Sequence, residues 1–164
     1  AKATQVEQIK IHGKSLEGNL EGDAVDRPAI VYLPPSYATD KKRRYPVVYA
    51  LHGYSIGAEQ WSKEIHVPQT IEGAFAQGAQ EMIVVLPDSK TVHNGSMYSS
   101  SVTTGDFEQY VARDVVAYID AHYRTTSPGT SSPTSTPTIA PSPTAPAAVS
   151  SATPWAATAQ PASA

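Results

Sequence analysis

Residues 45–61 read YPVVYALHGYSIGAEQW, and the architecture of the chain turns on how that run divides. Val47 to Leu51 is a short apolar run rich in residues that favour extended backbone. It breaks at His52-Gly53-Tyr54-Ser55-Ile56-Gly57 and recovers into a helix start. A strand feeding a glycine-bracketed turn and then a helix is where α/β enzymes place chemistry. The turn also holds a literal G-x-S-x-G at Gly53, Ser55 and Gly57.

Working outward, Arg27–Leu33 (RPAIVYL) reads as a strand stopped by Pro34-Pro35, since proline lacks the N–H that a ladder needs. Met82–Leu86 (MIVVL) is a second apolar strand, closed by Pro87-Asp88. Ile9 and Ile11 alternate with polar neighbours, which predicts a pair of edge strands within residues 5–20. The run Val47–Leu51 is continuous and apolar, as expected of a strand covered on both faces. Residues 58–78 read as helical with a break at Pro68, a cap at Thr70 and an end at Gly78. Residues 89–104 form a long polar loop of the kind that carries function. Phe107–Arg124 is the clearest helix. Phe107, Tyr110, Val111, Val115, Tyr118, Ile119 and His122 share one face, and Asp106 with Gln109 resembles a capping box. Alternating strands and helices predict an α/β fold with a mostly parallel sheet and flanking helices.

Composition divides the chain of 164 residues at about Thr125. Residues 1–124 carry every charge; residues 125–164 carry none, and 35 of those 40 are Ala, Thr, Ser or Pro. That composition buries too little apolar surface to offset ordering entropy, so the tail is expected to be disordered. Net charge is −3, and the one basic run, Lys41-Lys42-Arg43-Arg44, falls between two predicted strands, where a solvated turn is a simpler reading than nucleic-acid binding. With zero cysteines the sequence has no disulfide, thiolate nucleophile or Cys-ligated metal. No apolar run approaches membrane-spanning length. Ala1 in place of Met suits a processed or recombinant mature terminus. With the linker-like tail, it tips expectation toward a secreted or periplasmic protein.

The turn at residues 52–57 admits two chemistries. Ser55 would be a nucleophile if the turn were a strained elbow between strand and helix. Alternatively His52-Gly53-Tyr54, directly after a central strand, is an oxyanion loop. There the glycine lets the backbone approach substrate and the Tyr54 N–H meets developing negative charge. The second reading uses more of the context. A triad of Ser55, Asp88 and His93 keeps the order Ser, acid, His but crowds members that normally lie far downstream. His12, His66 and His122 lack ligand spacing with one another, so no metal site is expected. Asp106, Glu108 and Asp114 read as helix N-terminal and solvent-face charges.

The segments VYLPPSY (31–37), YPVVYALHGYS (45–55), Trp61, IVVLPDS (83–89) and GSMYSSSVTTGDFEQYVARDVVAYIDAHYRT (95–125) together resemble the esterase family of α/β-hydrolases. That family includes feruloyl and acetyl-xylan esterases, S-formylglutathione hydrolase and the mycolyltransferases. The resemblance covers nearly all of residues 27–125 and implies a serine carboxylesterase without a cofactor. Its substrate would be a small-molecule or carbohydrate-linked ester, with no nucleic-acid or membrane partner. His52-Gly53-Tyr54 matches the family's oxyanion loop, Trp61 an aromatic just after it, and Met97-Tyr98-Ser99 a loop beside the acyl pocket. Phe107 stands where the family often has Trp or Tyr.

The resemblance stops at Thr125. The family continues with a strand and a nucleophile elbow, G-H-S-M-G-G, and later with an acid and a histidine, none of which is written here. Residues 152–164 (ATPWAATAQPASA) are expected to be that elbow out of frame. Trp155 is TGG and the next codon begins GC. Moved back one base, that codon becomes GGC, glycine. On the same shift Thr153-Pro154-Trp155 arises from CAC-TCC-ATG-G, which is His-Ser-Met and the start of that glycine. The longer stretch is compatible with G-H-S-M-G-G-Y-G-T-A-R-I-G. Residues 126–151 exceed the family's loop and have no account; a genuine secreted linker is the alternative. The fold is therefore expected to stop before the nucleophile-elbow strand, leaving an open edge on Val47–Leu51 and an association-prone, inactive chain. A minimal esterase using Ser55, or a non-catalytic carbohydrate-associated module, are the rival readings.

Overall fold

The computed structural model describes residues 3–126. The Ala/Ser/Thr/Pro-rich tail from residue 127 on, with Trp155 and the expected out-of-frame elbow, lies outside the described residues.

Strand β1 (Gln5–His12) pairs antiparallel with β2 (Asp26–Leu33), from Gln5 opposite Leu33 to His12 opposite Asp26. Residues 5–20 thus hold one strand rather than two. Gly13 turns the chain into a 3-10 turn at Lys14–Leu16, which drives Leu16 into the core. β3 (Val47–Tyr49) is followed by α1 (Ala58–Glu64) and α2 (Val67–Ala76), then β4 (Ile83–Pro87). The sheet order is β1-β2-β4-β3. β2 pairs antiparallel with β4, and only β3 with β4 is parallel. The sheet is therefore mixed, not mostly parallel. The helical connection between β3 and β4 makes that one pair parallel. β1 and β2 meet through a reversing connection at residues 13–25 and so run antiparallel.

The helical stretch breaks at His66, whose φ of 50° is left-handed, and not at Pro68. Pro68 lies in the first turn of α2, where its missing N–H forfeits no helical bond. Thr70 does not cap α2; its N–H already bonds back to His66 O. Gly78 ends the helix as expected, at φ +91°.

Two short strands, β5 (Ser100–Ser101) and β6 (Gly105–Asp106), form a small hairpin before the last helical rod. That rod runs through α3 (Phe107–Gln109), a π-helical segment Tyr110–Val115, and α4 (Val116–His122). Asp106 caps it, its Oδ1 accepting from Gln109 N at 3.0 Å. A π segment widens the turn and shifts the register of the apolar face; Phe107, Tyr110, Val115 and Ile119 still all reach the core.

Alternation along the strands sends residues to two faces. Ile11, Ala29, Val31, Leu33, Ile83 and Val85 pack under the rod. Ile30, Tyr32, Val84 and Leu86 pack under α1 and α2 with Ala58 and Val67. The result is helix, sheet, helix. Each fully buried Val, Leu, Ile or Phe side chain contributes about 1.5–3 kcal/mol against exposure. β3 itself is not covered as expected, since Val48 is 44% exposed. After the rod, Tyr45 N bonds Arg124 O and Thr126 N bonds Tyr45 O, a parallel bridge that starts along the outer edge of β3.

Candidate active site

β3 and β4 end side by side and point the same way, so the loops that follow them, residues 50–57 and 88–99, meet beyond their C-terminal ends. In α/β sheets that is where ligands bind. Between the loops lies a cleft of about 220 Å³ lined by His52, Gly53, Tyr54, Ser89, Gly95, Ser96, Met97 and Tyr98.

The floor is polar and fixed. His52 is 4% exposed. Its Nε2 accepts from Ser89 N–H at 2.8 Å, and its Nδ1 lies 2.9 Å from Gly53 O. Its own backbone carbonyl accepts from the Tyr98 hydroxyl at 2.9 Å. Burial pushes the Tyr98 phenol up to about 12, so at neutral pH it is a hydrogen-bond donor. The Ser89 hydroxyl is buried on the cleft wall beside the Tyr98 hydroxyl.

The rim is tied across the loops. Tyr54 OH donates to His93 O at 2.9 Å, and Ser55 N donates to Asn94 O at 2.8 Å. A Cβ on Gly95 would meet Tyr54 Cδ2 at 2.7 Å, so glycine is required for the Tyr54 ring to lie against this loop. Ser55, Asn94, Met97 and Tyr98 all adopt left-handed φ, between 51° and 70°. Strain of this kind costs on the order of 1–3 kcal/mol per residue and clusters at functional sites. Met97 stands at the mouth, 74% exposed.

Five of the residues singled out in the sequence therefore come together here: His52, Gly53, Tyr54, Met97 and Tyr98. Trp61 does not. It sits on α1 and packs with the cluster of Ile30, Tyr32, Val84 and Leu86 under the helices. Ser55 is exposed in the loop and does not line the cleft. Its hydroxyl makes no hydrogen bond to a histidine or carboxylate among the described residues. Nor does the imagined triad assemble. His93 Nε2 faces Glu21 Oε1 at 3.3 Å. Asp88 is occupied three ways: Oδ1 meets Arg27 Nη2 at 2.9 Å and Lys90 N at 3.1 Å, and Oδ2 accepts from Ala58 N at 2.9 Å. Asp88 thus caps α1 and anchors the start of the 88–99 loop. Ser89 was missed in the sequence. The one local signal for it is its place just after the strand-ending Pro87-Asp88.

A family model described as "Putative esterase" matches residues 24–135. Among solved structures, the chain is similar to a ferulic acid esterase at 25% identity and a TM-score of 0.64, covering 76% of this chain and 45% of that one. It is also similar to a ferulic acid esterase from Anaeromyces mucronatus in complex with ferulic acid (22%, TM-score 0.55, 76% and 45%). An S-formylglutathione hydrolase from Agrobacterium tumefaciens shares the fold as well (19%, TM-score 0.54, 76% and 46%). The chain spans a little under half the length of these relatives. With its family match over more than half the sequence and this shared α/β fold, the chain belongs to the esterase family.

Proposed function

We propose that this chain carries the oxyanion-binding half of a serine carboxylic-ester hydrolase. In such a reaction a serine attacks the ester carbonyl, a histidine takes the proton, and negative charge develops on the carbonyl oxygen. A backbone N–H aimed at that oxygen stabilises the transition state; losing one such donor costs about 10²–10³ in kcat. Tyr54 N–H is our candidate donor. The observation that carries the reading is that Tyr54 lines the cleft and its N–H has no hydrogen-bond partner among the described residues, whereas the next N–H, of Ser55, is used by Asn94 O. Gly53 supports it. An added Cβ there would meet nothing within 4 Å, so the space beside its backbone is open to an incoming group.

The nucleophile half is absent from the sequence as written, and on this reading the chain alone does not turn over esters. The Tyr45–Thr125 bridge fits a further strand entering along the edge of β3 after residue 125; that such a strand is written out of frame near Trp155 rests on the sequence alone. Sequencing the gene across residues 120–164 tests that expectation, and a clean in-frame Pro/Thr/Ser tail with no overlapping G-H-S-M-G-G refutes it. Hydrolysis of p-nitrophenyl acetate tests the functional reading. We expect no rate above buffer for the wild-type chain. Hydrolysis that disappears in Ser55→Ala would instead make Ser55 the nucleophile and the chain a minimal esterase.

A further inference from the structure

We infer that His52 is a positioning residue whose imidazole, locked in one tautomer, orients the Gly53–Tyr54 peptide so that Tyr54 N–H faces the cleft. The inference deepens the ester-hydrolase reading and rests on it for its purpose, but not for its geometry.

The tautomer follows from the two partners. Ser89 N–H is a donor only, so His52 Nε2 accepts and carries no proton. Gly53 O is an acceptor only, so Nδ1 carries the proton and donates. Both ring nitrogens are thus spent on backbone groups of two different loops. Neither is left to take a proton from a nucleophile, so the ring is not a general base here. The backbone carbonyl of His52 is held in turn by Tyr98 OH.

The consequence lies in the next peptide. Gly53 C=O and Tyr54 N–H belong to one planar unit, and the described chain has no cis peptide bond. In a trans unit the C=O and N–H point in opposite directions. Drawing Gly53 O toward the imidazole therefore turns Tyr54 N–H away from the buried ring and toward the open side. Glycine at 53 would otherwise let this unit rotate freely. The hydrogen bond removes that freedom, and pre-orientation of a donor before charge develops is what makes an oxyanion site effective. The Ser89 contact ties the same ring to the end of β4, the most buried strand of the sheet.

Two conservative variants separate orientation from packing. Asn at 52 places an N–H₂ near the position of Nδ1 and keeps the donor to Gly53 O. Gln reaches the position of Nε2, keeps the Ser89 contact and loses the donor. In ¹⁵N relaxation of the described domain in the full chain, Tyr54 N–H is expected to be rigid in wild type, with an order parameter of about 0.85. It should stay so in His52→Asn and fall below about 0.6 in His52→Gln, at similar Tm for both variants. Equal loss of order in both variants, in step with Tm, would reduce His52 to a packing residue and overturn the inference. Should both variants fail to fold, long-range ¹H–¹⁵N correlation on wild-type His52 still decides it. A protonated Nδ1 with a bare Nε2 supports the inference, and a protonated Nε2 or an averaged pattern refutes it. Titration with methylphosphonate, a tetrahedral anion, addresses the parent reading separately. A shift of the Tyr54 cross-peak supports the oxyanion role. No shift alongside the expected tautomer would refute that role and leave the orienting contact standing.

Discussion

β3 and β4 run side by side in the same direction, and both are written in valine and other β-formers. β4 is buried along its whole length, whereas Val47 and Tyr49 of β3 are half-buried and Val48 is exposed. The difference lies in neighbours, not residues. β4 sits between β2 and β3 and under helices on both faces. In β3, Pro46 O and Ala50 N bond to β4, so the alternate residues Val47 and Tyr49 turn their backbone groups outward. Among the described residues, only Tyr45, one step earlier, is paired on that side, with the chain arriving at residues 124–126. An apolar run thus specifies a strand, but how deeply it is buried depends on what lies against its edge.

The largest expected effect is at the end of β4. Asp88→Ala takes the carboxylate counter-charge from buried Arg27, leaving its guanidinium only backbone carbonyls, and uncaps α1. Breaking a buried pair from one side costs about 3–5 kcal/mol. Urea unfolding should show a loss of that order, and a loss under 1 kcal/mol would mean that this end of β4 is not the anchor described. Next, Ile83→Ala in β4 should cost about 2–5 kcal/mol. Val48→Ala in β3 should cost about 1 kcal/mol or less, as for other partly exposed sites. Comparable losses at the two positions would show that the β3 edge is covered in solution. A smaller effect concerns that edge directly. Exposed, unpaired strands template association, and a lysine on the edge opposes it. The wild-type chain should show a weight-average mass rising with concentration in sedimentation equilibrium, while Val48→Lys stays nearer the 17.4 kDa monomer. A monomeric wild type with a sharp, cooperative thermal transition would break this expectation.

The smallest effect lies at the far edge of the sheet, on β1. There exposed His12 meets Glu17 Oε1 at 2.9 Å and Asp26 Oδ1 at 2.7 Å. Its hydrogen bond to Glu17, then that to Asp26, raises its pKa above the usual 6.5. A pKa raised in the folded state contributes stability that is fully present below the unfolded value and is lost as pH rises through the folded one. The stability difference between wild type and His12→Ala should therefore shrink as pH rises from 6 through this raised value. A difference that grows with pH would reverse the assignment.

How much of this could be read beforehand depends on the range of each interaction. β2, β4 and the rod beginning at Phe107 were legible because their signals are local: apolar runs ended by proline, and a helical stripe behind a capping Asp106. The loop His52-Gly53-Tyr54, which lines the cleft, was legible as a turn because a glycine turn after an apolar strand is also local. Trp61 was misplaced for the converse reason. A residue close to the cleft loop in sequence can still face the other way once a helix begins, and Trp61 on α1 faces the sheet. The π segment at Tyr110–Val115 and the left-handed His66 left no pattern that a 3.6-residue period would reveal.

Residue order alone established the α/β class, the strand that feeds the cleft and the loop that lines it, since these rest on periodicity and turn chemistry within a few residues. Three things arose only from folding. One is the mixed direction of the sheet, set by which strands found each other. Another is Asp88 as the cap of a helix 30 residues away. The last is the clamp on His52 by Ser89, 37 residues distant, and Tyr98, 46 residues distant. Hydrogen bonds across such separations depend on the paths of two loops after β3 and β4 become neighbours, and no local pattern records where those paths meet.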